Sequence, residues 1–141
     1  MSGSRSRARQ ATIQALYQWQ VTGQSYQDIG RLFLRDEDSD RGIDEAYFTE
    51  LIREVPLHAE EIDALLAPHL DRPLAEVDPV ERAILRLGVY EFCYHPEIGQ
   101  RIVLNEAVEL AKCFGGGSGH KFVNAVLDKA AGVLRAHERR S

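Results

Sequence analysis

The chain has 141 residues, 44% hydrophobic and 28% charged, which suits one soluble globular domain large enough to bury a core without staples. No apolar run approaches the roughly 20 residues needed to cross a bilayer, and "MSGSRSRARQ" has no apolar segment behind its basic residues, so neither a membrane span nor a secretory signal is read. The net charge of −5 hides a segregation: residues 1–10 carry +3, residues 120–141 carry +3 and residues 11–119 carry −11, which points to two kinds of surface, one of them suited to a polyanion.

The periodicity is helical nearly throughout. "RQATIQALYQWQV" places Ile13, Leu16, Tyr17 and Val21 on one face, preceded by a basic arm over residues 1–6 that is expected to be flexible, and Gly23 ends it. "YQDIGRLFL" predicts a shorter helix with Ile29, Leu32 and Phe33 inward, followed by an acidic loop, "RDEDSDRG". "IDEAYFTELIREV" aligns Tyr47, Phe48, Leu51, Ile52 and Val55, and Pro56 is expected to stop it. "HAEEIDALLAPHL" gives a fourth helix with Ile62, Leu65 and Leu66 buried.

"VDPVERAILRLGVYEFCY" opens on Asp78 as N-cap, Pro79 at the first helical position and Glu81 at capping-box spacing. Ile84, Leu85, Leu87, Val89 and Phe92 make it apolar on more than one side, so it reads as the central helix. "VLNEAVELAKCF" and "KFVNAVLDKAAGVL" complete the set, separated by "GGGSGH". No strand-like alternation, internal repeat or long linker interrupts this pattern. The expected architecture is therefore all-α, a single compact domain of about seven helices over residues 1–141.

Enzyme and metal chemistry find no footing. Ser118 and His120 share a glycine-rich loop, but no third group is in place to orient the histidine, and a G-x-S-x-G elbow fails because Gly119 comes one residue early. The phosphate-loop pattern fails too: His120 separates Gly119 from Lys121, and Phe122 stands where a hydroxyl belongs. The five histidines show no ligand spacing, and Cys93 and Cys113 form no CxxC pair. No metal, cofactor or disulfide is expected, and the two lone cysteines suit a reducing compartment, the cytoplasm.

Two features remain, and both suit nucleic acid. Arginines run into the first helix, and the last long helix opens with backbone amides, Lys121 and Phe122. Guanidinium forks bind phosphates, helix N-termini accept phosphate oxygens, and an aromatic ring stacks on an unpaired base. Core packing is the competing reading for Phe122, and solvated tails are the competing reading for the basic termini.

Four blocks carry a resemblance that covers nearly the whole chain: "RARQATIQALYQWQ" (7–20), "VERAILRLGVYEF" (80–92), "LNEAVELAKCFG" (104–115) and "HKFVNAVLDKAA" (120–131). In this order and spacing they resemble the NusB family of transcription antitermination factors. The resemblance implies two packed helical subbundles and a function without catalysis. It implies binding of boxA-type RNA as a heterodimer with the small ribosomal protein NusE, in support of read-through by RNA polymerase in ribosomal RNA operons. By position, Arg5, Arg7, Arg9, Ser118, Lys121 and Phe122 would meet RNA, and Glu81, Arg82 and Leu85 would meet the protein partner. The acidic body suits a basic ribosomal partner.

The chain departs from the family pattern twice. Ser6 interrupts the arginines, and Ser118 stands where an acid is common, which is expected to strengthen RNA binding. Two other readings accompany this one: the RNA-targeting domain of an rRNA methyltransferase, for which no cofactor-binding domain follows Ser141, and a helical interaction module that does not touch RNA. A homodimer that buries the RNA surface is also compatible with the resemblance. With three arginines and Lys121 on phosphates, log K is expected to fall with log salt at a slope of about −3.

Overall fold

A computed structural model describes residues 3–35, 42–115 and 117–139. The acidic loop expected over 35–42 falls largely on residues 36–41, and these lie outside the described residues with Met1, Ser2, Gly116, Arg140 and Ser141. Among the described residues the chain is all-α, with eight α-helices, two short 3₁₀ turns and no strand. It divides into two compact units, Met1–Leu57 and His58–Ser141.

The first unit packs three helices against one another: α1 (Gly3–Thr22), α2 (Tyr26–Arg35) and α3 (Glu45–Leu57). Residues 3–6 are not a loose arm; they form the first turns of α1, and Ser4 O accepts the Asp44 N–H at 3.1 Å. Gly23 closes α1 as expected, at φ 73° with its N–H on Trp19 O at 3.0 Å. Ser25 Oγ accepts the Gln27 and Asp28 amides and so opens α2, and Asp44 Oδ1 accepts the Tyr47 amide at 3.0 Å to open α3.

The α3 stripe is buried as read, from Tyr47 to Val55. On α1 the buried set is Ala8, Arg9, Ala11, Thr12, Ile13, Ala15 and Leu16, whereas Tyr17 and Val21 are exposed. On α2, Ile29 is buried, Phe33 lies 5.8 Å from the Phe48 ring and Leu32 is exposed. Pro56 does not stop α3 in front of itself. The helix runs one residue further, because proline removes a single N–H donor in its last turn while Ile52 and Val55 hold that turn in the core.

The second unit holds α4 (Ala59–Leu66), 3₁₀ turns at Ala67–His69 and Leu74–Glu76, then α5 (Pro79–Tyr94), α6 (Gln100–Phe114), α7 (Gly119–Leu134) and the four-residue α8 (Ala136–Arg139). Asp78 caps α5, its Oδ1 accepting from Val80 N at 2.9 Å and Glu81 N at 3.2 Å, with Pro79 at the first helical position. Helix α5 is the central one, packed against α4, α6 and α7, with Ile84, Leu85, Leu87, Val89 and Phe92 all buried. Gly88 lets α7 come close: a Cβ there would meet Leu127 Cδ1 at 2.8 Å. Arg86 and Asp63 join α5 to α4 through a two-pronged pair at 2.9 and 2.8 Å.

Arg135 overturns part of the charge reading. It counts among the basic residues of the C-terminal segment, yet it is buried and points inward. Its guanidinium donates to the carbonyls of Phe92 at 3.0 Å, Glu91 at 3.3 Å and His95 at 3.0 Å, and to Glu138. Those carbonyls lie at the C-terminal end of α5, where the dipole favours a cation; the Glu91 and His95 carbonyls also accept the His95 and Ile98 amides, and the Phe92 carbonyl is left to Arg135. Glu138 Oε2 in turn accepts the Gln100 amide at 3.1 Å, so one ion pair closes the end of α5 and the start of α6.

Candidate nucleic-acid interface

The residues expected at RNA fall on both units, three on α1 and three around the start of α7. On α1, positions 5 and 9 are one helical turn apart and both guanidiniums lie over Tyr47 of α3, at 4.3 Å from the ring centroid for Arg5 and 5.5 Å for Arg9. Arg9 is buried, so its expected place on the RNA surface is corrected: it is a core cation held over an aromatic ring. Arg5 remains partly exposed and approaches Asp44 at 3.9 Å. Arg7, on the turn between them, is exposed, and its guanidinium covers Gly42, where an added Cβ would lie 2.6 Å from it. Gly42 sits at φ 69°, so glycine both permits that backbone and makes room for Arg7. Two arginines, not three, are thus presented to solvent.

At the start of α7, Ser118 occupies the N-cap position, but at φ −104° and ψ 17° its side chain makes no capping bond. Its carbonyl accepts the Lys121 N–H at 3.0 Å and the Phe122 N–H at 3.4 Å. The amides of Gly119 and His120 precede that ladder and, by helix geometry, have no intrahelical acceptor. Lys121 is exposed and Phe122 half-buried. The first glycine of the run, Gly115, ends α6 with its N–H on Ala111 O at 2.9 Å.

Two further side chains complete this site, and neither was assigned to it from sequence. The Arg72 guanidinium lies over the Phe122 ring at 4.8 Å from its centroid and grips Asp71 at 2.8 and 3.3 Å. Fifty positions and two helices separate Arg72 from Phe122 in the chain, so no local pattern could pair them. The second is Glu81, expected at a protein partner. A Cβ added to Gly119 would lie 2.6 Å from Glu81 Oε2, so this carboxylate faces the first residue of α7. Burial, then the charge of Asp78, pushes its pKa up, and Arg72 opposes that rise.

The other partner residues divide. Arg82 is half-buried, with one guanidinium nitrogen donating to Ala75 O at 3.4 Å and with Nε left without a hydrogen-bond partner. Leu85 is fully buried, so its expected contact with a partner is corrected: the second turn of α5 faces it into the core. No group of three or more potential metal ligands occurs among the described residues. No helix there is long and apolar enough to cross a membrane.

This geometry has counterparts among known proteins. The family model described as "NusB family" matches residues 6–132. A transcription antitermination protein NusB from Nitrosococcus oceani is 55% identical over 141 residues, all of this chain and 94% of that protein. The NusB protein of Haemophilus influenzae is 44% identical over 131 residues, 93% of this chain and 90% of its own. A crystal structure of the antitermination factors NusB and NusE in complex with double-stranded RNA superposes with a TM-score of 0.82 at 27% identity, covering 94% of this chain and 99% of that one.

Proposed function

Because the chain belongs to the NusB family, we propose that it is a transcription antitermination factor that binds boxA-type single-stranded RNA together with NusE and so supports read-through by RNA polymerase in ribosomal RNA operons. It acts in the cytoplasm by binding, without catalysis, metal or cofactor. Partly exposed Arg5 and exposed Arg7 and Lys121 hold phosphates, the Ser118–His120 turn offers amides, and Phe122 stacks on a base. Glu81 and Arg82 serve the NusE side.

The observation that carries this reading is the start of α7. There an exposed lysine, a half-buried aromatic ring and unladdered amides lie within five residues.

RNA binding measured across salt, with and without NusE, tests it. Three solvent-accessible cations on phosphates predict a log–log slope of about −2, shallower than the slope of about −3 that counted Arg9. Phe122→Ala is expected to weaken binding by about 1–3 kcal/mol and to leave the slope intact, since stacking is not ionic. A slope near zero would turn the reading towards a protein-interaction module, and an RNA affinity indifferent to NusE would remove the heterodimer from it.

A further inference from the structure

Beside Phe122 the second unit carries a cavity of about 280 Å³. One wall is the outer face of α7, where Phe122, Ala125 and Lys129 recur at three- to four-residue spacing. The other wall is the segment after α4, with His69 and Asp71. The volume is many times the ~30 Å³ share of one water molecule, so it has room for a ring-sized group.

Its chemistry is mixed in a specific way. An aromatic ring stands at one end, a methyl group lies along the wall, and an exposed ammonium and an exposed carboxylate flank the rim. Arg72 ties the two walls, its guanidinium over Phe122 and bonded to Asp71. The Arg72 bond, and more weakly the charge of Lys129, holds the Asp71 carboxyl below its ordinary range, so it is an acceptor at neutral pH. A flat ring that carries an amino group and a neighbouring phosphate would satisfy every one of these groups at once.

We propose that this cavity receives one unstacked nucleobase of the bound RNA, its ring stacked on Phe122, its exocyclic amino group on Asp71 and its phosphate on Lys129. The proposal rests on the RNA-binding reading above and deepens it. It extends the RNA footprint about two helical turns along α7 and makes Asp71 a base-selecting residue. Cytosine, adenine and guanine carry an exocyclic amine; uracil would turn a carbonyl towards the carboxylate and be disfavoured.

The test uses the full chain with NusE and a boxA-type RNA, together with a series in which each base in turn is exchanged for uracil or for an abasic unit. Lys129 and Asp71 are both exposed, so alanine at either leaves the core intact; melting curves verify that. With Lys129 as a fourth cation the wild-type slope steepens to about −3, and Lys129→Ala is expected to lower affinity several-fold and to return the slope to about −2. Asp71→Ala is expected to erase an approximately tenfold preference against uracil at one position while other positions keep theirs.

If the wild type binds RNA and Lys129→Ala matches it in affinity and slope, the cavity is not a nucleotide site. A preference profile unchanged in Asp71→Ala overturns the base-selecting role. A Lys129→Ala defect that appears equally in RNA-free NusE binding assigns the cavity to protein and overturns the proposal. A wild type that binds no RNA even with NusE fails the underlying function first, which separates the two failures.

Discussion

Glu81→Gln removes one negative charge from the entrance to α7 while keeping the side chain's size. A phosphate that accepts the amides at Gly119 and His120 would bring its charge to about 6 Å from the Glu81 carboxylate, which lies against Gly119. At that separation the repulsion is about 0.7 kcal/mol at the dielectric of water and about 3 kcal/mol at the value used near protein surfaces. Glu81 is half-exposed, so screening favours the lower part of this range. A gain of about 1 kcal/mol, roughly fivefold in RNA affinity, is the expected result.

The pH dependence follows with a fixed sign. Burial and Asp78 already raise the Glu81 pKa in the free protein, and a phosphate beside it raises it further. Binding therefore takes up a proton, and wild-type affinity rises as pH falls through the window between the free and bound values, at and above the ordinary carboxylate range. Every other titratable group is common to the two proteins, so the difference between wild type and Glu81→Gln isolates the Glu81 contribution. Fluorescence anisotropy with RNA alone, at constant ionic strength, reads it without any effect of the variant on NusE. If Glu81→Gln binds RNA no better than wild type, or keeps the same pH profile, the carboxylate does not contest the phosphate site.

Two other substitutions are informative. Ser118→Asp is expected to stabilise α7 by about 0.5–1 kcal/mol, since a carboxylate at the N-cap accepts amides and complements the dipole, while lowering RNA affinity several-fold; melting and binding should move in opposite directions, and an unchanged affinity would mean that Ser118 is not beside a phosphate. Arg135→Ala is expected to cost about 3 kcal/mol or more in chemical denaturation, because it removes a buried guanidinium, leaves the Phe92 carbonyl without its donor and breaks the pair with Glu138. The wild-type Glu138 carboxyl, held low first by the Gln100 amide and then by Arg135, adds stability above its unfolded pKa that is lost as pH falls through the depressed value, so Arg135→Ala should flatten the acid limb of a stability–pH curve. A steep acid limb surviving in that variant would locate the acid sensitivity elsewhere.

Much of the fold was legible because its signals are local. Gly23 and the Asp78–Pro79 pair each mark a helix end through backbone chemistry that a neighbour cannot override. The α3 and α5 stripes are buried as their spacing implies. The failures share a different origin. Tyr17, Val21 and Leu32 are apolar residues in helical register that end on the surface, since periodicity finds the stripe but not how wide the neighbouring helix is. Residues 3–6 look like an arm because serines break the arginine run, yet Arg5 has Tyr47 and Asp44 to hold it, and these lie some forty positions away. Arg72 was invisible for the same reason: its role exists only once α7 is in place.

The burial of Arg9 and Arg135 also changes what the charge segregation means. Both ends of the chain carry +3, but each spends one arginine on a contact inside its own unit. An arginine can be buried when its donors meet carbonyls or an aromatic face, and composition counts it all the same. The cations left for RNA are few, so the electrostatic part of binding should be modest and weakly selective. Selectivity then has to come from groups that read a base edge, and around α7 that is Asp71 in the cavity beside Lys129, with the Phe122 ring under Arg72 holding the base there. Phe122 is therefore the residue on which the two contributions meet. Its loss should lower affinity for every RNA by a similar factor and leave the salt slope intact, whereas Arg7→Ala should lower affinity and flatten the slope together.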